Sequence, residues 1–228
     1  MIPHHQGAVD MCGVLTSGPP HGYAVEASLA AMCVNVVSSQ SSEITTMETW
    51  LTSRAKELTA PCAGSTGMAG CGAHLSSWSS KQFERVNAEM HHGMAIKFNG
   101  NPNYDFVKGM IAHHQGAIDM CKVLTNTCGH GQTVEPGLLT LCSGITTAQT
   151  TEIATLTKWL VNRDEPTQES CPMGDSAGGG CGDVDCWASK EFIEANSAMH
   201  GGMAIKYTGD PNIGQWHGQS STRLAPNM

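Results

Sequence analysis

The sequence predicts an all-α protein of two tandem antiparallel helical-bundle units, of the ferritin-like or four-helix-bundle type, stapled by disulfides. Three observations carry this expectation. The segment Met1-Ile-Pro-His4-His5-Gln-Gly-Ala returns as Met110-Ile-Ala-His113-His114-Gln-Gly-Ala, an offset of 109 residues in a chain of 228. A repeat of about half the length marks two similar units, each long enough to bury a core. Apolar residues recur at spacings of three and four, the helical period, and no segment alternates apolar with polar residues as a half-buried strand does.

Each copy reads as three helices. The first runs in copy two from about Met110 to Thr125, with Met110, His113, His114, Ala117, Met120, Cys121 and Leu124 in one band and Asp119 and Lys122 outside it. Gly129-His-Gly131 breaks it, as the Gly/Pro-rich stretch after Ser17 does in copy one. The second helix carries Leu138, Cys142, Ile145, Gln149, Glu152, Leu156 and Trp159. Its twin carries Leu29, Cys33, Val36, Gln40, Glu43, Met47 and Trp50. The Gln and Glu on each apolar stripe demand hydrogen-bonding partners. A Gly/Ser/Cys-rich connector follows, from Pro61 to about Ser77 and from Pro166 to Asp185. The third helix starts near Trp78 or Trp187, runs to Lys97 or Lys206, and is expected to stop at Gly100-Asn-Pro102 or Gly209-Asp-Pro211. The units are then 1–89 and 90–198, with 199–228 as a partial third repeat helix and tail.

The net charge of −8, with 12 Lys and Arg and no basic run, excludes nucleic-acid binding, which depends on phosphate neutralisation. No apolar run approaches the length of a membrane span. The chain opens inside the repeat motif without a visible signal peptide, so a mature or excised piece is expected. Ten cysteines nearly repeat: Cys12, Cys33, Cys62 and Cys71 match Cys121, Cys142, Cys171 and Cys181, with Cys128 and Cys186 left over. Without a C-x-x-C pair this reads as a disulfide framework, which places the protein in an extracellular, periplasmic or secretory-lumen compartment. The expected bridges are Cys12–Cys33 and Cys121–Cys142, each joining positions about equally far along two antiparallel helices from their turn. Cys62–Cys71 and Cys171–Cys181 close short loops, and Cys128–Cys186 joins the unrepeated pair.

The chemistry sits in the run from Met90 to Met120. Met90, His91 and Met94 share one part of the third helix, and Met110 is followed by His113 and His114 at three and four residues. If the two helices pack together, thioethers and imidazoles converge, a donor set that suits Cu(I) or Ag(I). Glu152 or Gln149 can hold a ring N–H and set its tautomer. On the residues alone a structural Met/His core stands beside this reading, since Met on a helix stripe is ordinary core filler. Glu89-x-x-His92 imitates half of a di-iron carboxylate site, but Ala198 and Gly201 occupy the repeat positions. His21, His74, His130 and His217 fall in loops or the tail and read as solvated.

The stretch Met90-His-His-Gly-Met94, then Gly100-Asn-Pro-Asn-Tyr-Asp-Phe-Val-Lys-Gly-Met110-Ile-Ala-His113-His114-Gln-Gly-Ala-Ile-Asp-Met120, with Gln149-Thr-Thr-Glu152 and Trp159-Leu160, closely resembles the domain of unknown function 305 family. The resemblance covers one copy and most of the other. It implies a small helical bundle and a copper-binding role through Met and His, as in periplasmic copper-resistance proteins of that family. By the same resemblance Met90, His91, Met94, Met110, His113, His114 and Met120 are the metal ligands. The repeat adds Met1, His4, His5, Met11, Met199, His200 and Met203. Two departures stand out: Ala112 replaces the Pro found at Pro3, and many cysteines are added.

The expected function is therefore non-enzymatic copper sequestration or delivery, with a metal ion as partner. The alternative is a structural or assembly protein, and a copper oxidoreductase ranks third because all-Met/His sites hold Cu(I) rather than cycle it. The repeat phase adds one more expectation. Copy one begins at its His-His helix without a preceding Met-His helix, while the chain ends with a surplus one. That helix is expected to dock on a neighbouring chain, giving head-to-tail self-association and possible filaments.

Overall fold

A computed structural model describes residues 1–17, 24–54, 76–126, 133–166, 181–182, 187–203 and 210–214. The described chain is all-α, as expected. The two long helices α2 (Ala27–Ser53) and α5 (Pro136–Val161) follow the apolar stripes read from the sequence, burying Leu29, Cys33, Val36, Met47 and Leu51 on one and Leu138, Cys142, Ile145, Leu156 and Leu160 on the other. Against α2 lies α1 (Ile2–Thr16), and against α5 lies α4 (Pro102–Thr125). Disulfides Cys12–Cys33 and Cys121–Cys142 staple these pairs, each with a Cα–Cα distance of 5.3 Å. Their register is antiparallel, because His5 meets Glu43 and His114 meets Glu152 one helical stretch from each bridge. The other three expected bridges fall outside the described side chains, as do His21, His74, His130, His217 and most of both connectors.

α3 (Trp78–Met94) begins at Ser77, whose hydroxyl accepts the Ser80 amide as an N-cap, and it packs on α4. It ends three residues earlier than expected. The chain then forms a two-residue strand β1 (Lys97–Phe98), paired in parallel with β2 (Cys181–Gly182). Gly100 turns the backbone with φ 80°, a left-handed conformation that glycine alone adopts without strain. Asn101-Pro102 is a helix start, not the expected stop: Asn101 accepts the Asn103 amide and Pro102 occupies the first turn, where its missing N–H costs nothing. α4 therefore begins eight residues before Met110. This also explains the departure at Ala112. Pro3 sits in the first turn of α1, whereas position 112 lies inside α4, where proline breaks the helix.

α6 (Trp187–Gly202) packs on α1 of the same chain, as α3 packs on α4. The expectation that the surplus helix docks on a neighbouring chain is thus corrected. The vacancy on α1 is filled in cis, by the same small-residue contact in both copies: Met199 lies against Gly7, and Met90 against Gly116. The short helix α7 (Pro211–Gly214) completes the relation. Asn212 accepts the Glu135 amide and donates to the Thr133 carbonyl, as Asn103 does with Glu26 and Ala24 at the start of α2. The result is a pseudo-twofold arrangement around one continuous hydrophobic core.

Two reciprocal clasps cross between copies. Trp50 Nε1 donates to Glu135 Oε2 at 3.1 Å, and Arg54 pairs with the same carboxylate while stacking over Trp50. Trp159 Nε1 donates to Glu26 Oε2 at 2.9 Å, and Arg163 pairs with that carboxylate while stacking over Trp159. Each long helix thus holds the N-cap residue of the other.

Candidate metal centre

His4 and His5 on α1 and His113 and His114 on α4 are consecutive residues about 100° apart on their helices, and both of each pair are buried because neighbouring helices cover both directions. All fourteen residues singled out in the sequence are buried: Met1, His4, His5, Met11, Met90, His91, Met94, Met110, His113, His114, Met120, Met199, His200 and Met203 are each no more than 7% exposed. The four histidines of α1 and α4 are wholly enclosed.

The sequence gives two separate ligand sets, the run from Met90 to Met120 and its repeat equivalents, but the structure stacks the rings of one set on those of the other. His4 stacks on His113 with ring centroids 3.7 Å apart, and His91 stacks on His200 at 3.6 Å. Each pair takes one ring from each copy. Met90 joins the first pair, its sulfur 3.1 Å from His4 Nδ1. Met90 and Met199 reach inward because Gly116 and Gly7 leave room, and Met11 lies against Gly109. Met1, Met94, Met110, Met120 and Met203 fill the surrounding core.

Hydrogen bonds set the free lone pairs. His113 Nε2 lies 2.7 Å from the His4 carbonyl, which only accepts, so Nε2 carries the proton and Nδ1 presents a bare lone pair. His5 Nε2 lies 2.8 Å from Glu43 Oε2, which assigns its proton in the same way. His114 Nε2 lies 2.8 Å from Glu152 Oε2, though off the line of a good hydrogen bond. The Nδ1 atoms of His5, His113 and His114 and the Nε2 atoms of His4 and His200 have no hydrogen-bond partner among the described residues. Buried nitrogens of this kind are costly unless something else engages them.

Burial favours the neutral form of His4, His5, His91, His113 and His200. It pushes His4 and His113 well below the ordinary histidine value, helped by their histidine neighbours. His91 is pushed down to about 4 by burial, and His200 to about 3 by burial and by His91. Burial lowers His5 as well, with Glu43 opposing. Neutral imidazole is the form that coordinates a metal.

Among the described residues no group of three or more His, Cys, Asp or Glu is placed to hold a metal ion. A site here must therefore draw on thioethers, and the mixed donors suit a soft monovalent ion. Glu89 and His92 are exposed on α3, with Glu89 paired to Arg85, so the di-iron imitation has no buried counterpart.

Sequence reasoning missed the stacking across copies. It noted Gln40 and Gln149 only as polar residues on a stripe; both are 2% exposed, and neither has a hydrogen-bond partner for its amide among the described residues. Their identical repeat offset was the available signal.

The family described as Domain of unknown function (DUF305) matches residues 1–100 and again 103–210. Comparison with curated proteins and with solved structures gave no match. With almost the whole described chain accounted for by two successive matches, the protein belongs to the domain of unknown function 305 family, as a tandem duplicate.

Proposed function

We propose that this protein is a non-enzymatic binder of a soft metal ion, with Cu(I) as the cargo, acting in sequestration or delivery within an oxidising compartment. The observation that carries the reading is the enclosed His4–His113 stack with Met90 sulfur against His4. Two neutral rings and a thioether, with lone pairs left over, form a donor set that binds Cu(I) and discriminates against hard, strongly hydrated cations. His4 belongs to copy one, and Met90 and His113 come from the run that spans the junction. The site is therefore composite, rather than one per repeat. Glu43 and Glu152 serve as outer-shell partners that orient His5 and His114. The disulfides support the compartment, since such bridges persist where thiols are not kept reduced. No described helix is long and apolar enough to cross a membrane.

The assembly reading relied on an uncovered face of α1, which α6 covers within the chain. The test is anaerobic Cu(I) titration against a chromogenic chelator. Replacing His113 and His114 together by Ala should remove most of the affinity, exceeding the roughly 10–100-fold loss of an outer-shell change. Replacing His74 or His217 should leave it unchanged. Unaltered Cu(I) stoichiometry and affinity in the double variant rejects the assignment.

A further inference from the structure

A cavity of about 600 Å³ opens between α3, α4 and α5, lined by Met90, His92, Gly93, Ala112 and Gly116 among others. Its carboxylate-bearing wall carries Glu89 and Asp119, and Lys108 also lines it. Glu89 is paired with Arg85, and Asp119 accepts from Gln115 and Lys122. The cavity stays open because glycine and alanine line it where α3 and α4 approach; a Cβ on Gly93 would meet only Ala112 Cβ, at 3.5 Å.

Met90 belongs to two environments at once. Its side chain lines the cavity, and its sulfur touches the wholly enclosed His4 ring. His92, two residues on, lines the same cavity and is exposed to solvent. Neither His92 nor Glu89 is needed to dock an α3-type helix. The equivalent helix α6 packs on α1 with Gly201 and Ala198 at those positions, while Met199 and Gly7 retain the buried contact. The imidazole and the carboxylate are thus additions to one face of a pseudo-symmetric molecule, placed at the cavity whose wall reaches the buried donors.

We propose that this cavity is the loading port of the soft-metal site: His92 captures Cu(I) from solvent or from a donor ligand and passes it across the cavity to the Met90 thioether, which delivers it to the buried imidazoles. The step is ligand exchange at constant oxidation state, with one Cu–N bond exchanged for a Cu–S bond and no proton or electron transferred. A neutral thioether suits the transfer position because it binds weakly enough to release the ion. This inference rests on the function proposed above, and it assigns a single, one-sided route to a composite site.

The test separates rate from endpoint. Transfer of Cu(I) from a chromogenic Cu(I)–chelator complex to the full chain is followed by stopped flow, and stoichiometry is read at equilibrium. His92→Ala should slow loading by about tenfold or more, with the same final stoichiometry, because His92 lies outside the buried donor set. Ala112→Phe, which fills the cavity without touching a metal donor, should slow it as well. Circular dichroism confirms that each variant is folded, and a variant that is not is replaced by His92→Gln. Wild-type loading rates in both the His92 and Ala112 variants overturn the port alone. Failure of the unaltered protein to take up Cu(I) overturns the buried site and the port together.

Discussion

At the scale of residues, the core contains an unusual set of polar groups. Six enclosed or nearly enclosed imidazoles and two enclosed glutamine amides are expensive to bury. Burial lowers the folded-state values of His4, His5, His91, His113 and His200, and the sign of the resulting pH dependence follows from that direction. In the unfolded chain each titrates near 6.5. Below that pH the unfolded state takes up protons that the folded rings refuse, so stability is full above about pH 6.5 and is lost as the pH falls. The loss continues to about pH 4 for His91 and about 3 for His200, where the folded state also protonates. Each ring contributes a slope of about 1.4 kcal/mol per pH unit across its window. Urea unfolding at pH 7.5, 5.5 and 4.5 on metal-free protein should give a steep decline; equal stabilities at all three would contradict the buried, neutral assignment.

At the scale of elements, periodicity made α2 and α5 legible almost to their ends, because their stripes are long and uninterrupted. It failed at Asn101-Pro102, where the same dipeptide chemistry signals either a stop or a start. The reciprocal clasps were not legible either. Glu26 and Trp159 are far apart in sequence, and only the common offset of Glu26/Glu135, Trp50/Trp159 and Arg54/Arg163 hints at them. The site was legible as a set of residues but not as a pairing, since a repeat reveals equivalence without saying where the symmetry axis runs. Two predictions belong here. Removing either described disulfide, by Cys12→Ser with Cys33→Ser or by Cys121→Ser with Cys142→Ser, should cost about 3 kcal/mol in chemical denaturation, the scale for closing a loop of this size. Gly116→Ala places a methyl 2.5 Å from Met90 Cγ and 3.0 Å from its Cβ, so the base of that side chain must move. The expected result is a loss of about 1–3 kcal/mol, with weakened Cu(I) binding. A variant as stable and as tightly binding as the parent would show that Met90 is not held there.

At the scale of the whole molecule, the two copies share one core and exchange contacts at both ends of their long helices. Because α6 covers α1 in cis, the full chain is expected to sediment as a monomer. Deleting residues 187–228 uncovers the α1 face around Gly7 and Met11, and the shortened chain should associate or aggregate. Analytical ultracentrifugation reads both outcomes, and a shortened chain that remains a compact monomer would show that α6 does not cover that face. The clasps themselves add little to stability, since their Arg–Glu pairs are half-exposed. Their effect is to hold the register of one copy against the other.

The cis docking of α6 on α1 also sets a schedule. Gly7 leaves the ribosome about 190 residues before Met199, a delay of roughly 10–40 s at ordinary elongation rates. During that interval the face of α1 around Gly7 lacks its permanent cover, while α2 and then α4 become available to other parts of α1. Closure between such distant segments is slow for topological reasons. The nascent chain therefore carries a sticky, half-finished surface around Gly7 until α6 appears, and any factor that shields such surfaces during synthesis has that interval in which to engage it.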